Sequence, residues 1–328
     1  MSDPKDSTTK SLVYVTGQGL GAGHVLSCLA VLKHYAEKTG RQFHIVCNNW
    51  LMALNSRADI DPFLETFFKK ETLADRRTNF SFNQVQSMIA DAQERQDSFL
   101  IVGAGVIGTE RIRRHLGEHS FIDSAAFIEM NDFKELLPKH HACEHDHIIV
   151  DAEPPYQSHG PNAKPFDFLR DIPPFAPLDF PYPQRTMDFD HHVGLHIRHG
   201  NGEFLHGRAG GDSDEFMTLV ERVVNKAKSI AHEHSIDMLA FSDSFQLLEF
   251  LEHEYGIGNL GPDYLPDKAF QKHLKSNMGT GRKWHIVATA LRDIDCLSKC
   301  SHVVCASSLF TQAAYIHSKH KRFTHINL

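Results

Sequence analysis

Apolar residues along the chain fall into short continuous runs separated by stretches of helical spacing. Residues 12–15, 43–47, 99–102, 147–150, 193–197, 238–241 and 302–305 have the length and content of buried strands. Between them, apolar positions recur every three or four residues. The clearest case follows Asp212, with Ser213 as the expected cap. There Phe216, Leu219, Val220, Val223, Val224, Ala227, Ile230 and Ala231 form one stripe wide enough to face a sheet. This strand–helix alternation predicts an α/β protein with parallel sheets and helices on both faces. Residues 121–130, rich in alanine and running into Asn131-Asp132, read as a poor strand. Nine of the 14 prolines lie between Pro154 and Pro183. That density predicts a linker at 154–183 rather than regular structure, and it divides the chain into domains at 1–180 and 181–328.

Composition narrows the function classes. At 328 residues, two domains of ordinary size can each bury a core. A formal net charge of -7 gives no support to a nucleic-acid surface, yet leaves room for a local basic pocket. The polar start, Met1 to Lys10, lacks the apolar centre of a signal peptide. No apolar run reaches the roughly 18 residues of a membrane span. The six cysteines contain no Cys-x-x-Cys pair, and Cys296, Cys300 and Cys305 sit in apolar patterns typical of buried thiols. A reducing, cytoplasmic setting is the expectation. Histidine is the outlier, at 24 residues. The cluster His140, His141, Cys143, Glu144, His145 and His147 carries metal-capable side chains, but at no standard zinc spacing, so solvated loop histidines are expected.

Several segments combine glycine or charge with a strand end. Gly17, Gly19, Gly21 and Gly23 follow the first strand and open a helix near Val25, a loop through which backbone amides can approach a ligand. Gly103-Ala104-Gly105-Val106-Ile107-Gly108 matches the dinucleotide fingerprint in letters, with Asp123 and Glu129 near the distance of its acidic partner. The weak strand character of 121–130 favours a plain glycine-rich turn there. At the end of the strand 193–197, Arg198 offers a planar fork of donors for a diphosphate. His199, Gly200, Asn201 and Gly202 follow, and Glu203 closes the segment with a carboxylate. Asp243, between Ser242 and Ser244, could cap the next helix or accept from a base or ribose. Ser307 and Ser308 open the last helix, where they would cap it or face a phosphate.

Together His196, Arg198, His199, Gly200, Asn201, Gly202 and Glu203 resemble the first motif of the rhizobial nodulation fucosyltransferases, the chitin-oligosaccharide α-1,6-fucosyltransferases, which reads His-x-Arg-His-Gly-Asn-Gly-Glu. Val223-Val224-Asn225-Lys226-Ala227-Lys228, Ser242-Asp243-Ser244, the stretch from Asp293 to Cys300, and Ser307-Ser308 follow in the same order. The glycine loop with Thr39-Gly40-Arg41 resembles the start of these enzymes. The resemblance is close over about 190–315 and thin over 42–185. It implies a GT-B fold, two Rossmann-like domains facing a central cleft, with an acceptor-side N-terminal domain and a donor-binding C-terminal one. The implied reaction is inverting, metal-independent and α-1,6-type transfer of L-fucose from GDP-β-L-fucose to a GlcNAc-containing or chitin-like saccharide. By the same resemblance Arg198 holds the β-phosphate. His196, His199, Gly200, Asn201, Asp243, Asp293, Ser307 and Ser308 are the donor-binding candidates, with Gly21 and Gly23 of the glycine loop, and the acceptor base is Glu203 or a carboxylate of the N-terminal domain. No cofactor, metal or nucleic acid is implied. Another sugar nucleotide as donor, an NAD(P)-dependent oxidoreductase built on Gly103 to Gly108, and a histidine-rich metal binder are the alternatives.

Overall fold

The computed structural model describes residues 10–15, 22–46, 82–103, 126–129, 144–151, 166–175, 187–198, 213–260, 280–306 and 308–326. The chain divides into two compact units. One comprises Met1–Tyr156 and Ile172–Asp179, and the other Gln157–Asp171 and Phe180–Leu328.

The first unit is built on β1 (Ser11–Val15), α1 (Ala22–Lys38), β2 (Gln42–Val46), α2 (Phe82–Glu94), β3 (Phe99–Gly103), β4 (Ala126–Glu129) and β5 (His147–Asp151). Its strands form one parallel sheet in the order β2-β1-β5-β3-β4. Every residue of β1 is buried, as a central strand covered on both faces requires. A polar cluster pins the amino-terminal edge of this sheet. His147 Nδ1 lies 2.8 Å from Ser11 Oγ, and its Nε2 lies 3.1 Å from the Asp97 carboxylate. The Arg41 guanidinium donates to the carbonyls of His145 and Asp146. The backbone N–H of Ser98 donates to the Asp146 carboxylate, which holds that group below its ordinary pKa.

Two expectations are corrected here. Residues 126–129 form a true edge strand, pairing in parallel with β3 from Leu100↔Ala126 to Gly103↔Glu129. Alanine lowers strand propensity, but pairing with an already buried neighbour overrides it. The second correction concerns the histidine cluster. His147 is a buried strand residue rather than a solvated one, because its two ring nitrogens are occupied by Ser11 and Asp97. His140, His141 and Cys143 lie outside the described residues.

The second unit contains β6 (His192–His196), α3 (Ser213–His234), β7 (Asp237–Phe241), α4 (Phe245–Tyr255), β8 (Gly258–Asn259), α5 (Thr280–Lys299), β9 (His302–Cys305), α6 (Leu309–His317) and β10 (Phe323–His325). These strands are parallel in the order β10-β9-β6-β7-β8. All eight residues of the predicted α3 stripe are buried, against Val193, Leu195, Ala240 and Val304 of the sheet. The opposite face takes α5. Leu297 is fully buried there, and it reaches the sheet only because Gly194 has no side chain. Strands β1, β2, β6 and β7 each begin one residue before their apolar run, the boundary shift expected where polar end residues still join the ladder.

Part of the proline-dense segment is ordered packing rather than plain linker. Residues 167–169 make a 3₁₀ turn. Beside it Phe166 stacks on Tyr315 of α6 at 4.8 Å and meets Phe323 edge-on at 5.3 Å, all within the second unit. Proline excludes a ladder but not burial, and the phenylalanines between the prolines supply apolar area.

A Cβ on Gly194 would lie 2.6 Å from Leu297 Cδ1 and 3.1 Å from Cys300 Sγ. Leu297 and Cys300 have no solvent into which to move. Gly194→Ala is therefore expected to destabilise the protein by about 1–3 kcal/mol, the usual cost of overpacking. Urea unfolding against wild type measures it.

Candidate functional site

The site begins with topology. In the second sheet β6 is followed by β7 on one side, while β9 lies on its other side. Such a switch point leaves a crevice at the carboxyl ends of the strands, the place where open α/β sheets take ligands. His196 ends β6 in register with Phe241 of β7 and Cys305 of β9. Arg198 lies two residues beyond, and α6 starts at Leu309, a few residues past β9. The strand ends thus bring Arg198, the Ser242–Ser244 turn and the start of α6 to one edge.

Hydrogen bonds fix that edge. The Ile197 N–H donates to the Phe241 carbonyl at 3.2 Å. The Ser242 hydroxyl donates to the Ile197 carbonyl at 2.8 Å and accepts from the Ser244 N–H at 3.1 Å. This ties the segment carrying Arg198 to the turn carrying Asp243. Arg198 Nε lies 4.0 Å from Asp243 Oδ2, with side chains 50% and 29% exposed respectively. At that exposure the pair stabilises the fold by well under about 1 kcal/mol. The contact therefore costs Arg198 little to give up when a ligand binds. Asp243 does not cap α4; Ser244 does, accepting from the Leu247 N–H. Ser242 carried no sequence signal beyond belonging to a polar triplet, because its role depends on a carbonyl 45 residues away.

Ser308 is the N-cap of α6 and forms a capping box with Thr311. Its hydroxyl accepts from the Thr311 N–H at 3.1 Å, and its own N–H donates to Thr311 Oγ1 at 3.1 Å. Its hydroxyl builds the helix end, which places the positive terminus of α6 at the crevice edge.

His196 is the buried member of the site, at 4% exposure. Its ring stacks on Phe310 of α6, with centroids 4.7 Å apart and planes 11° from parallel. Burial drives its pKa down to about 4, with the Asp243 carboxylate opposing and the Arg198 cation assisting. The imidazole is neutral at physiological pH. Asp293, on α5, is also buried, and its described partner is the neighbouring Arg292, at 2.6 Å. Burial raises its pKa, against the pull of Arg292. The structure thus brings Arg198, Asp243, His196 and the α6 terminus to one edge, and pairs Asp293 with Arg292.

Gly23 lies in the first turn of α1, after β1 in the first unit. Gly21, His199, Gly200, Asn201, Glu203 and Ser307 lie outside the described residues. Among the described residues no group of three His, Cys, Asp or Glu could hold a metal, and no helix is long and apolar enough to cross a membrane.

The fold has known counterparts. The crystal structure of the fucosyltransferase NodZ from Bradyrhizobium is similar, with a TM-score of 0.51 at 17% sequence identity, over 95% of this chain and 94% of that one. POFUT1 in its apo form matches with a TM-score of 0.46 at 11% identity over 98% and 99%. POFUT1 in complex with GDP-fucose matches with the same score at 10% identity over the same shares. No family model matches the chain, and no curated protein does. The chain has the α/β fold of the NodZ structure, and its two parallel sheets are the Rossmann-like units of a GT-B protein.

The His196 titration has a stability consequence. The ordinary value is 6.5 and the folded value about 4, so the unfolded chain binds the extra proton first. Stability from this group is complete above pH 6.5 and is lost as pH falls towards 4, by on the order of 2–3 kcal/mol. The stability gap between wild type and His196→Gln is expected to narrow by that amount from pH 7 to pH 4, measured by urea unfolding across the range.

Proposed function

We propose that the chain is an inverting, metal-independent glycosyltransferase that moves L-fucose from GDP-β-L-fucose to a saccharide hydroxyl, with residues 181–328 binding the donor and residues 1–180 serving the acceptor. One observation carries this reading: Arg198, Asp243, His196 and the amino terminus of α6 meet at the switch point of the second sheet. A guanidinium and a helix terminus at the end of parallel strands are what a nucleotide diphosphate needs. The fucose rests on the motif resemblance of residues 196–203 and on the fold shared with NodZ. An α-1,6 linkage and a GlcNAc-containing or chitin-like acceptor follow from that resemblance.

In this reaction the acceptor oxygen attacks the anomeric carbon of fucose as its bond to the β-phosphate oxygen breaks, and GDP leaves with the electron pair. The acceptor proton passes to a base, for which Glu203 is the candidate. Negative charge grows on GDP while the sugar ring becomes cation-like. Arg198, half-exposed and only loosely held by Asp243, binds that growing charge better than the resting diphosphate and so lowers the barrier. The helix terminus adds to it, and His199, Gly200, Asn201 and Ser307 complete the donor cradle. His196 contributes a neutral ring, Asp243 and Asp293 accept hydrogen bonds from the nucleoside, and Gly21 and Gly23 belong to a ligand-facing loop.

One observation favours a second reading. β4 ends at Glu129, directly opposite Gly103 of β3, which is where the dinucleotide fingerprint of Gly103 to Gly108 needs its acidic residue. A thermal-shift assay separates the two. GDP at millimolar concentration is expected to raise Tm, and NADH to leave it unchanged. Arg198→Ala should weaken GDP binding by about 30–100-fold, the loss of charge-assisted hydrogen bonds. A Tm indifferent to GDP but raised by NADH would overturn the transferase assignment.

Turnover tests the finer assignment. GDP release from GDP-fucose should rise with chitin oligosaccharides and persist in excess EDTA. Glu203→Gln should lower kcat by about 10²–10⁴-fold with little change in GDP affinity, the range of a lost general base. Faster release from another GDP-sugar would reassign the donor.

A further inference from the structure

The donor reading leaves one buried feature unexplained. His196 Nδ1 is shielded from solvent and has no hydrogen-bond partner among the described residues. A buried ring nitrogen without a partner is costly, and such groups persist where something else completes them. Here the ring sits at the end of the central strand β6, beside Arg198 and Asp243. The backbone ladder fixes its Cα but not the rotation of its plane, since the terminal torsion of histidine is broad and roughly two-fold. Phe310 supplies that constraint. The two rings lie 4.7 Å apart and 11° from parallel, an arrangement that blocks rotation of either. Phe310 is the second residue of α6, and the Ser308–Thr311 capping box fixes where that helix begins. It is also only half-buried, whereas Leu309, Ala313 and Ala314 of the same helix are fully buried. Its ring is thus not consumed by the core.

We propose that Phe310 is a positioning residue of the donor site, whose stacked ring sets the plane in which His196 meets the nucleotide. The proposal rests on the donor assignment above. Phe310 acts through His196 and through no polar contact of its own. Because α6 also presents its amino terminus to the same crevice edge, the stack references the imidazole to the helix end that faces the phosphates. The charged groups acting on the imidazole are Asp243, which favours its protonation, and Arg198, which opposes it.

The test uses the full chain, Phe310→Leu and Phe310→Tyr, and GDP as the probe, with Phe310→Met replacing Phe310→Leu should that variant not fold. Calorimetry should show GDP affinity about tenfold weaker in Phe310→Leu, the upper range for a stacked pair, and restored in Phe310→Tyr. In a His196→Gln background Phe310→Leu should change affinity by less than about twofold, because the ring through which it acts is gone. Side-chain nitrogen NMR of the ligand-free protein gives an independent readout. The His196 titration should move from about 4 towards 6.5 in Phe310→Leu as water reaches the ring. GDP affinity unaffected by Phe310→Leu, an equal loss in the His196→Gln background, or an unmoved His196 titration would each overturn the proposal alone. Wild-type protein that binds no GDP would overturn the donor assignment and the proposal with it.

Discussion

Strand β6 sits at the centre of its sheet, and its neighbours arrive from opposite directions: β7 and β8 to one side, β9 and β10 to the other. This arrangement requires close covering of both faces and leaves the carboxyl end open. Gly194 answers the first requirement, since the approach of Leu297 and Cys300 of α5 leaves no volume for a methyl group. The α3 stripe covers the other face. With both faces sealed, the polar side chains of β6 are confined to its two ends, and at the carboxyl end these are His196 and, just beyond the strand, Arg198.

Charge at that end is arranged by depth. Arg198 and Asp243 stay nearer to solvent, where their mutual attraction is weak. His196 lies beneath them, neutral because burial outweighs the pull of Asp243. A permanent cation at the surface over an uncharged polar ring separates two tasks. In the proposed reaction the first would neutralise the leaving diphosphate, and the second would offer directed hydrogen bonding without adding charge. The Ser242 hydroxyl links the two strand ends, so that Arg198 and Asp243 cannot drift apart independently.

The amino-terminal edge of the first sheet shows the contrasting use of polar groups. Ser11, His147, Asp97 and Arg41 are buried and mutually occupied, or bonded to backbone carbonyls. They hold strand ends together at the edge opposite to the one where parallel sheets bind ligands. A histidine at the start of β5 and one at the end of β6 thus serve different ends, decided by which edge of a parallel sheet each occupies.

Much of this was legible in the order of residues. The apolar runs located β1–β3, β5–β7 and β9 to within a residue, because burial on both faces leaves an unbroken hydrophobic signature. The α3 stripe was readable because one helix face repeats locally. Arg198 at a strand end, Asp243 in a polar turn and Ser308 before a helix were likewise found from neighbours in sequence. β4 was missed because its four residues, in a stretch that runs into Asn131-Asp132, become a strand only by pairing with β3. Ser244 rather than Asp243 as cap, the solvent-shielded His147, and the packing of Phe166 on Tyr315 were also outside local pattern. By itself the sequence determined the alternation of elements and the residue types delivered to each strand end. The tertiary structure alone decided that the rings of His196 and Phe310 would stack across 114 positions of chain, that Ser242 would reach the carbonyl of Ile197, and that Gly194 would be the point of closest helix approach. Periodicity encodes which face of an element is apolar, whereas contacts between distant elements depend on register and crossover, which no local pattern carries.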